Sequence, residues 1–270
     1  MPTIEMSFSD LERLVGTSIP KDTEKLDYLL SFIKAEVEEF TGDYLRVEVK
    51  DGNRPDLWTV EGIARALRGV LGVETGLRDF KLSDQPPIEV FVDPALKEIR
   101  PYIACAVVYG VEIDESVLVG FIRLQDKLDL TYGRGRKRTS IGLYAADLIT
   151  PPIYYKLVEP DEVSFVPLGF DKELTLREIL EEHPKGIEYG HIIKDYPKWP
   201  ILMDSRGKVL SMPPIINSAD LGRVTTETRN ILVEVTGTSW AAVLNTLTIV
   251  ATSIAERGGV IRKAVNKHPY

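Results

Sequence analysis

The sequence predicts an α+β fold, with a small α/β module over residues 1–80 and a larger mixed α+β domain over residues 81–270. Three observations carry this. Apolar residues recur at helical spacing in some windows, such as Val60, Ile63, Ala64, Leu67 and Leu71, and alternate with polar ones in others, such as Tyr44 to Val49. A polar, proline-bearing stretch ending Ser83-Asp84-Gln85-Pro86-Pro87 reads as a linker over 75–87. At 270 residues the chain is long enough for a substantial core and for two domains.

In chain order, residues 7–16 open with Ser9-Asp10-Leu11-Glu12, a capping-box spacing, and predict a short helix. A longer helix is expected from about Asp22 to Thr41, because Leu26, Leu29, Leu30, Ile33, Val37 and Phe40 fall on one stripe, with Gly42 ending it. A strand follows from Tyr44 to Val49. Asp51-Gly52-Asn53-Arg54-Pro55-Asp56 is a polar turn, and a helix spans about Thr59 to Gly72. Beyond the linker, strands are expected at Ile88 to Val92 and Ile103 to Ile113, then a helix from Glu115 to Leu128. Apolar patterning returns from Ile141 to Leu148, and Ile153 to Val158 reads as a strand. Thr175-Leu176-Arg177-Glu178 has capping-box spacing for a helix ending near His183. An apolar helix runs from Ser239 to Glu256 and stops at Gly258-Gly259. A strand begins at Val260 with no closing element after it, which suggests part of a longer protein.

The stretch from Ile201 to Thr238 concentrates the unusual features. Ile201-Leu202-Met203 and Val209-Leu210 read as strands joined by the turn Asp204 to Lys208. Ser211-Met212-Pro213-Pro214-Ile215-Ile216-Asn217-Ser218 then places two prolines, which cannot donate ladder hydrogen bonds, among apolar residues that favour burial. A stiff, largely buried loop of this kind can line a small-molecule pocket. From Ile231 to Thr236 the pattern alternates, so Leu232, Glu234 and Thr236 share one face. Glu234 can thus point into the space the loop encloses; the plain alternative is a bulged hairpin with one solvated glutamate.

Composition bounds the rest. Hydrophobic residues make up 44% and charged residues 27%, as in ordinary globular proteins, and no apolar run nears the roughly 18 residues that span a bilayer. No secretory leader is visible, so a cytoplasmic address and no membrane partner are expected. The single cysteine, Cys105, excludes an internal disulfide and lies in an apolar, strand-like run. His183, His191 and His268 are scattered, and no metal-ligand cluster, P-loop or nucleophile elbow is present. Net charge is −8, so any polyanion must be met by a local patch. Tyr132-Gly133-Arg134-Gly135-Arg136-Lys137-Arg138 is the one dense basic run; it would suit RNA phosphates, or be a solvated face.

Three segments together resemble the beta subunit of phenylalanine-tRNA ligase in its archaeal/eukaryal form. They are Asn53-Arg54-Pro55-Asp56 with the helix at Gly62-Ile63-Ala64-Arg65, then Leu124-Gln125-x-Lys127-Leu128 through Arg138-x-x-x-Gly142, and Ser211 to Ser218 through Thr228-Arg229-Asn230. The resemblance covers essentially the whole chain and implies the family's N-terminal module at 1–80 and its tRNA-editing domain at 81–270. Compared with bacterial members, no oligonucleotide-binding insert separates the two, and Asn217-Ser218 stand where a glycine pair would.

The resemblance implies post-transfer editing, in which water cleaves tyrosine from mischarged tyrosyl-tRNA(Phe). By position, Glu234 matches the family's reader of the tyrosine hydroxyl, Asn217 lines the same pocket, and Leu202 and Ile216 would wall the ring. Ser211 and Thr236 would act catalytically on the ester carbonyl, the amine or the water, and Arg134, Arg136, Lys137 and Arg138 would bind tRNA phosphates. Editing would need no cofactor or metal, ATP and Mg2+ serving only the full synthetase. Partners would be tRNA(Phe), the tyrosine or phenylalanine it carries, and the catalytic alpha subunit of an alpha2-beta2 assembly. Two alternatives stay open: a non-catalytic tRNA-binding or subunit-scaffold module, and a free-standing hydrolase for another aminoacyl or peptide-like substrate.

Overall fold

The structure, a computed structural model, describes residues 2–267, so His268 lies outside the described residues. The chain opens with strand β1 (Thr3–Ser7) and helix α1 (Phe8–Val15). The Ser7 side chain caps α1 by accepting from Asp10 N, so the cap lies before Ser9, the residue that opens the expected capping box. Ser9 N bonds Asp43 instead, and Glu12 accepts from Ile19 N at 3.1 Å. Helix α2 (Thr23–Ser31) is followed by β2 (Ala35–Thr41) and β3 (Tyr44–Val49), where the sequence predicts a single helix to Thr41. Gly42-Asp43 is a two-residue hairpin turn, with Gly42 at φ 62°, that folds Val37 and Phe40 back as strand residues. The stripe of apolar residues survives because a helix turn and a strand face the same core. Helix α3 (Val60–Val70) is capped by Thr59. Gly62 lies so close under the Asn53-Arg54-Pro55-Asp56 turn that a Cβ there would stand 1.6 Å from Asp56 O. That contact explains why the turn and the helix glycine belong to one motif.

Beyond the linker come β4 (Ile88–Val92), β5 (Tyr102–Tyr109), α4 (Glu115–Leu130), β6 (Thr139–Ala145) and β7 (Ile153–Val158). A short hairpin, β8 (Ser164–Phe165) and β9 (Leu174–Thr175), leads into α5 (Leu176–Glu182), where Thr175 and Glu178 form the expected capping box, and α6 (Pro184–Tyr189). Then follow β10 (Trp199–Met203), β11 (Val209–Met212), β12 (Ile216–Asn217), β13 (Ile231–Gly237), α7 (Trp240–Ala255) and β14 (Val260–Lys267).

One nine-stranded sheet runs in the order β12-β11-β10-β7-β4-β14-β5-β13-β6. Its β14–β4 and β4–β7 pairs are parallel and its other pairs antiparallel. The last strand, expected only as a beginning, is thus inserted at the centre. With seven α-helices among the described residues, the architecture is the α+β class that the sequence predicts.

The alternation along β13 sorts the core. Ile231, Val233 and Val235 face α4, α7 and the N-terminal module in one hydrophobic cluster, whereas Leu232 joins a second cluster with Tyr144, Tyr155 and Leu202. The first cluster crosses residue 80 without a break, taking in Ile4, Leu26, Val47 and Leu67 together with Val108, Phe121 and Val250. Buried ion pairs reinforce that seam. Arg257 reaches Asp10 at 2.8 Å and Glu61, and Arg68 donates to Leu14 O at 2.9 Å while pairing with Glu256. Burial alone would push Glu61 towards its neutral form, and Arg257 opposes that.

Candidate functional site

A cleft of about 360 Å³ opens between α4, the β11–β12 corner and the middle of β6 and β13. The loop between β11 and β12 makes one wall. Its Pro213–Pro214 peptide is cis, and the segment returns so sharply that Ser211 pairs with Asn217 and Met212 with Ile216. Leu143 and Val224 add apolar surface, and Glu234 is the acidic group at the base.

Glu234 owes its position to register. It sits in the antiparallel ladder between Cys105 of β5 and Gly142 of β6, on the face that carries Tyr144 two residues further along β6. Its Oε2 accepts a hydrogen bond from the Tyr144 hydroxyl at 2.9 Å. The same hydroxyl lies 2.9 Å from Ser211 Oγ and 3.3 Å from Asn217 Oδ1. Asn217 Nδ2 donates to Leu143 O at 3.2 Å, which ties the loop to β6. Gly142 is required for this arrangement, since a Cβ there would stand 2.2 Å from Tyr144 Oη and 2.6 Å from Glu234 Oε2. Glu234 Oε1 is buried without an aligned donor, while its Oε2 is committed to Tyr144.

Burial pushes the Glu234 carboxyl up from an ordinary 4.5 to about 7, against the Tyr144 hydrogen bond, the Arg100 charge and the nearby Thr236 hydroxyl. A carboxyl raised in the folded state adds stability below its unfolded value that is lost as pH climbs through the folded value. Glu234→Gln should therefore be more stable than the parent chain at pH 8, by up to about 3 kcal/mol, and the gap should close near pH 4.5. Thermal melts of both proteins across that range check this; a gap that does not change with pH would sink it.

The structure brings Ser211, Ile216, Asn217 and Glu234 together in the cleft. Leu202 and Thr236 are not among its lining residues. Leu202 is fully buried in the cluster behind Ser211, its partner across the β10–β11 ladder. Thr236 is fully buried and serves Arg100, whose Nε donates to Thr236 Oγ1 at 2.9 Å and Nη2 to Thr236 O at 2.8 Å. The basic run divides as well. Arg134 and Lys137 are exposed, and Arg138 is half-buried over the Tyr132 ring, 4.6 Å from its centroid. Arg136 turns inward, donating to Pro214 O at 3.2 Å and Ile215 O at 2.8 Å, with Nε 3.0 Å from Asp129 Oδ2 and its guanidinium 4.3 Å from the Tyr189 centroid. It braces the Pro-Pro loop and has little fork left for a phosphate. Tyr144 and Arg100 escape sequence reasoning, and Gly142, quoted there only within the Arg138-x-x-x-Gly142 segment, gains its role from pairing with Glu234, which requires the register.

No protein-family model matches the chain. Among curated proteins, the phenylalanine–tRNA ligase beta subunit of Pyrococcus abyssi is 48% identical over 266 residues, covering 97% of this chain and 47% of that protein. The same subunit from Methanocaldococcus jannaschii is 48% identical over 260 residues, 95% of this chain and 46% of that one. The crystal structure of an N-terminal fragment of the phenylalanyl-tRNA synthetase beta-subunit from Pyrococcus horikoshii superimposes with a TM-score of 0.92 at 46% identity, over 98% of this chain and 77% of that fragment. The chain belongs to the phenylalanine–tRNA ligase beta-subunit family. It spans about half the length of the curated beta subunits it matches. The beta-subunit relationship extends over both sides of residue 80, so the N-terminal turn-and-helix motif and the Pro-Pro loop belong to one shared fold.

Proposed function

We propose that the cleft is an editing site that hydrolyses tyrosyl-tRNA(Phe) within a phenylalanine–tRNA ligase. The observation that supports this most is a buried carboxylate, Glu234, fixed through one oxygen by Tyr144 at the base of a mostly apolar cleft. An apolar pocket built for phenylalanine rejects an isostere bearing one extra hydroxyl by only about a hundredfold, so tyrosine errors call for a second sieve. In that sieve the tyrosine ring lies against Ile216 and the Pro-Pro wall, and its phenol donates to Glu234. Phenylalanine would leave the carboxylate's other oxygen, Oε1, unpaired, at a cost of roughly 1–3 kcal/mol, and so be spared.

Asn217 completes the polar end of the pocket, and Ser211 acts by holding the Tyr144 hydroxyl in place. Water attacks the aminoacyl ester, oriented rather than activated by a side-chain nucleophile, with backbone donors stabilising the oxyanion. Thr236 and Leu202 support the site from behind. The exposed cations of the basic run meet tRNA. We assign aminoacylation, with its ATP and Mg2+, to the assembled alpha2-beta2 synthetase in the cytoplasm rather than to this chain.

The test is release of amino acid from tyrosyl-tRNA(Phe) and phenylalanyl-tRNA(Phe). The chain should release tyrosine preferentially, and Glu234→Ala should cut that preference by about tenfold or more. Equal release of both amino acids by the parent chain would overturn the reading. Release of neither would favour a non-catalytic scaffold.

A further inference from the structure

The backbone of Asn217 is held by a segment that sequence reasoning does not connect with the cleft. Residues 166–168 run antiparallel beside 217–219 as an added edge. Ala219 N donates to Val166 O at 2.8 Å, and Leu168 N donates to Asn217 O at 2.8 Å. Pro167, between them, has no N–H and adds no donor of its own. Gly222 packs against the same asparagine, so closely that a Cβ there would stand 2.3 Å from Asn217 Cβ. Gly169 is left-handed at φ 94°, and Phe170 after it meets the His183 ring with centroids 4.7 Å apart.

His183 joins this edge to the corner between α5 and α6. Its ring is buried, with Nε2 3.2 Å from Leu168 O and Nδ1 3.1 Å from Lys185 N. A carbonyl only accepts and an amide N–H only donates, so one neutral tautomer, protonated on Nε2, satisfies both partners. Burial lowers the His183 pKa and the Lys185 charge adds to that, against the pull of the Leu168 carbonyl. The corner itself is rigid. His183 N donates to Ile179 O at 3.1 Å, Pro184 holds the residue before it extended, and a Cβ on Gly186 would stand 1.8 Å from Ile179 O. Leu168 and Lys185 both line the cleft, whereas His183 does not.

We propose that His183 is a positioning residue for editing: through Leu168 it fixes the backbone of Asn217, and with it the amide at the polar end of the cleft. The proposal rests on the editing reading of that cleft. A residue serving only to cap α6 needs one acceptor, and a short polar side chain is the usual choice. The Nε2 bond is surplus to capping, and it spans 15 residues to reach the edge that carries Asn217.

Two substitutions separate the cap from the tie. His183→Asn offers an acceptor where Nδ1 stands and nothing that reaches Leu168. His183→Gln offers a donor where Nε2 stands and caps poorly. His183→Asn should melt close to the parent chain, yet release tyrosine from tyrosyl-tRNA(Phe) about tenfold more slowly at saturating protein, with the half-saturating concentration unchanged. His183→Gln should melt about 2–4 °C lower and release tyrosine near the parent rate. Amide exchange followed by NMR gives a reading that needs no turnover: the Leu168 N–H should exchange about tenfold faster in His183→Asn and at the parent rate in His183→Gln. Unchanged Leu168 exchange in His183→Asn would overturn the proposal, as would loss of release that follows melting temperature in both variants. A selective parent chain matched in rate by His183→Asn refutes the positioning role alone. A parent chain that does not prefer tyrosine refutes the editing reading, whatever Leu168 exchange shows.

Discussion

Arg136→Ala should destabilise the chain by about 3–5 kcal/mol and abolish selective tyrosine release, although Arg136 stands in the run that reads as an RNA patch. The reason is what its side chain holds. Two donors go to the carbonyls of Pro214 and Ile215, at the turn where proline offers no N–H to fasten the loop by its own ladder. The third partner is Asp129, 2% exposed, whose carboxyl burial pushes up to about 7 even with Arg136 and Arg100 nearby. Removing Arg136 leaves two carbonyls without a donor and a buried acid without its nearest cation. The first effect loosens the Pro-Pro wall. The second makes stability fall more steeply as pH rises towards neutrality, because the charged form of Asp129 becomes still harder to keep in the fold. Lys137→Ala, at an exposed neighbour, should stay within about 0.5 kcal/mol. Urea unfolding at pH 5 and pH 8 separates these outcomes, and equal stabilities for the two variants would refute the bracing role.

The contrast shows where the sequence was readable and where it was not. The Pro-Pro loop, the alternation that puts Glu234 on its face, and the Thr175 cap depend on neighbours within a few residues, and all are present as expected. Failures occur where a distant partner decides. The stripe from Leu26 to Phe40 fits a helix equally well until β3 pairs with Ala35–Thr41, and only then does Gly42-Asp43 become a hairpin turn. Thr236 lies on the predicted face, but the same face is filled by Arg100, supplied from 136 residues away. Four cations in five residues look alike until folding buries Arg136 and leaves Arg134 and Lys137 in solvent. Tyr144, which orients Glu234, reads as one more apolar strand residue because nothing local reveals the acid opposite.

Arg100→Ala carries the other large expected effect, and its consequences reach the cleft although Arg100 itself does not line it. Arg100 is 1% exposed and precedes an apolar strand, where a lone cation would normally be placed in water. Its guanidinium instead spans three segments. It donates to Thr236 Oγ1 and O on β13, to Ser140 Oγ at 3.0 Å on β6, and to Arg136 O at 3.0 Å in the basic turn, while its own carbonyl accepts from the Tyr155 hydroxyl at 3.0 Å. Burial lowers its affinity for a proton somewhat, and the acids Glu234 and Asp129 counter that through space. Truncation strands those acceptors and leaves a void, so a loss of about 3–5 kcal/mol is expected, on the order of 10 °C in melting temperature. Arg100 also favours the ionised form of Glu234. Without it the Glu234 carboxyl should titrate higher still, and the pH above which tyrosine is preferred over phenylalanine should move upward. Arg100→Lys should recover part of that electrostatic effect but little of the stability, since one ammonium cannot reach acceptors on three segments. A pH profile of the tyrosine-to-phenylalanine release ratio, taken beside melts of the same variants, reads both effects. If both variants lose stability while the profile stays where the parent's lies, Arg100 is a structural tie alone and the charge coupling to Glu234 is refuted.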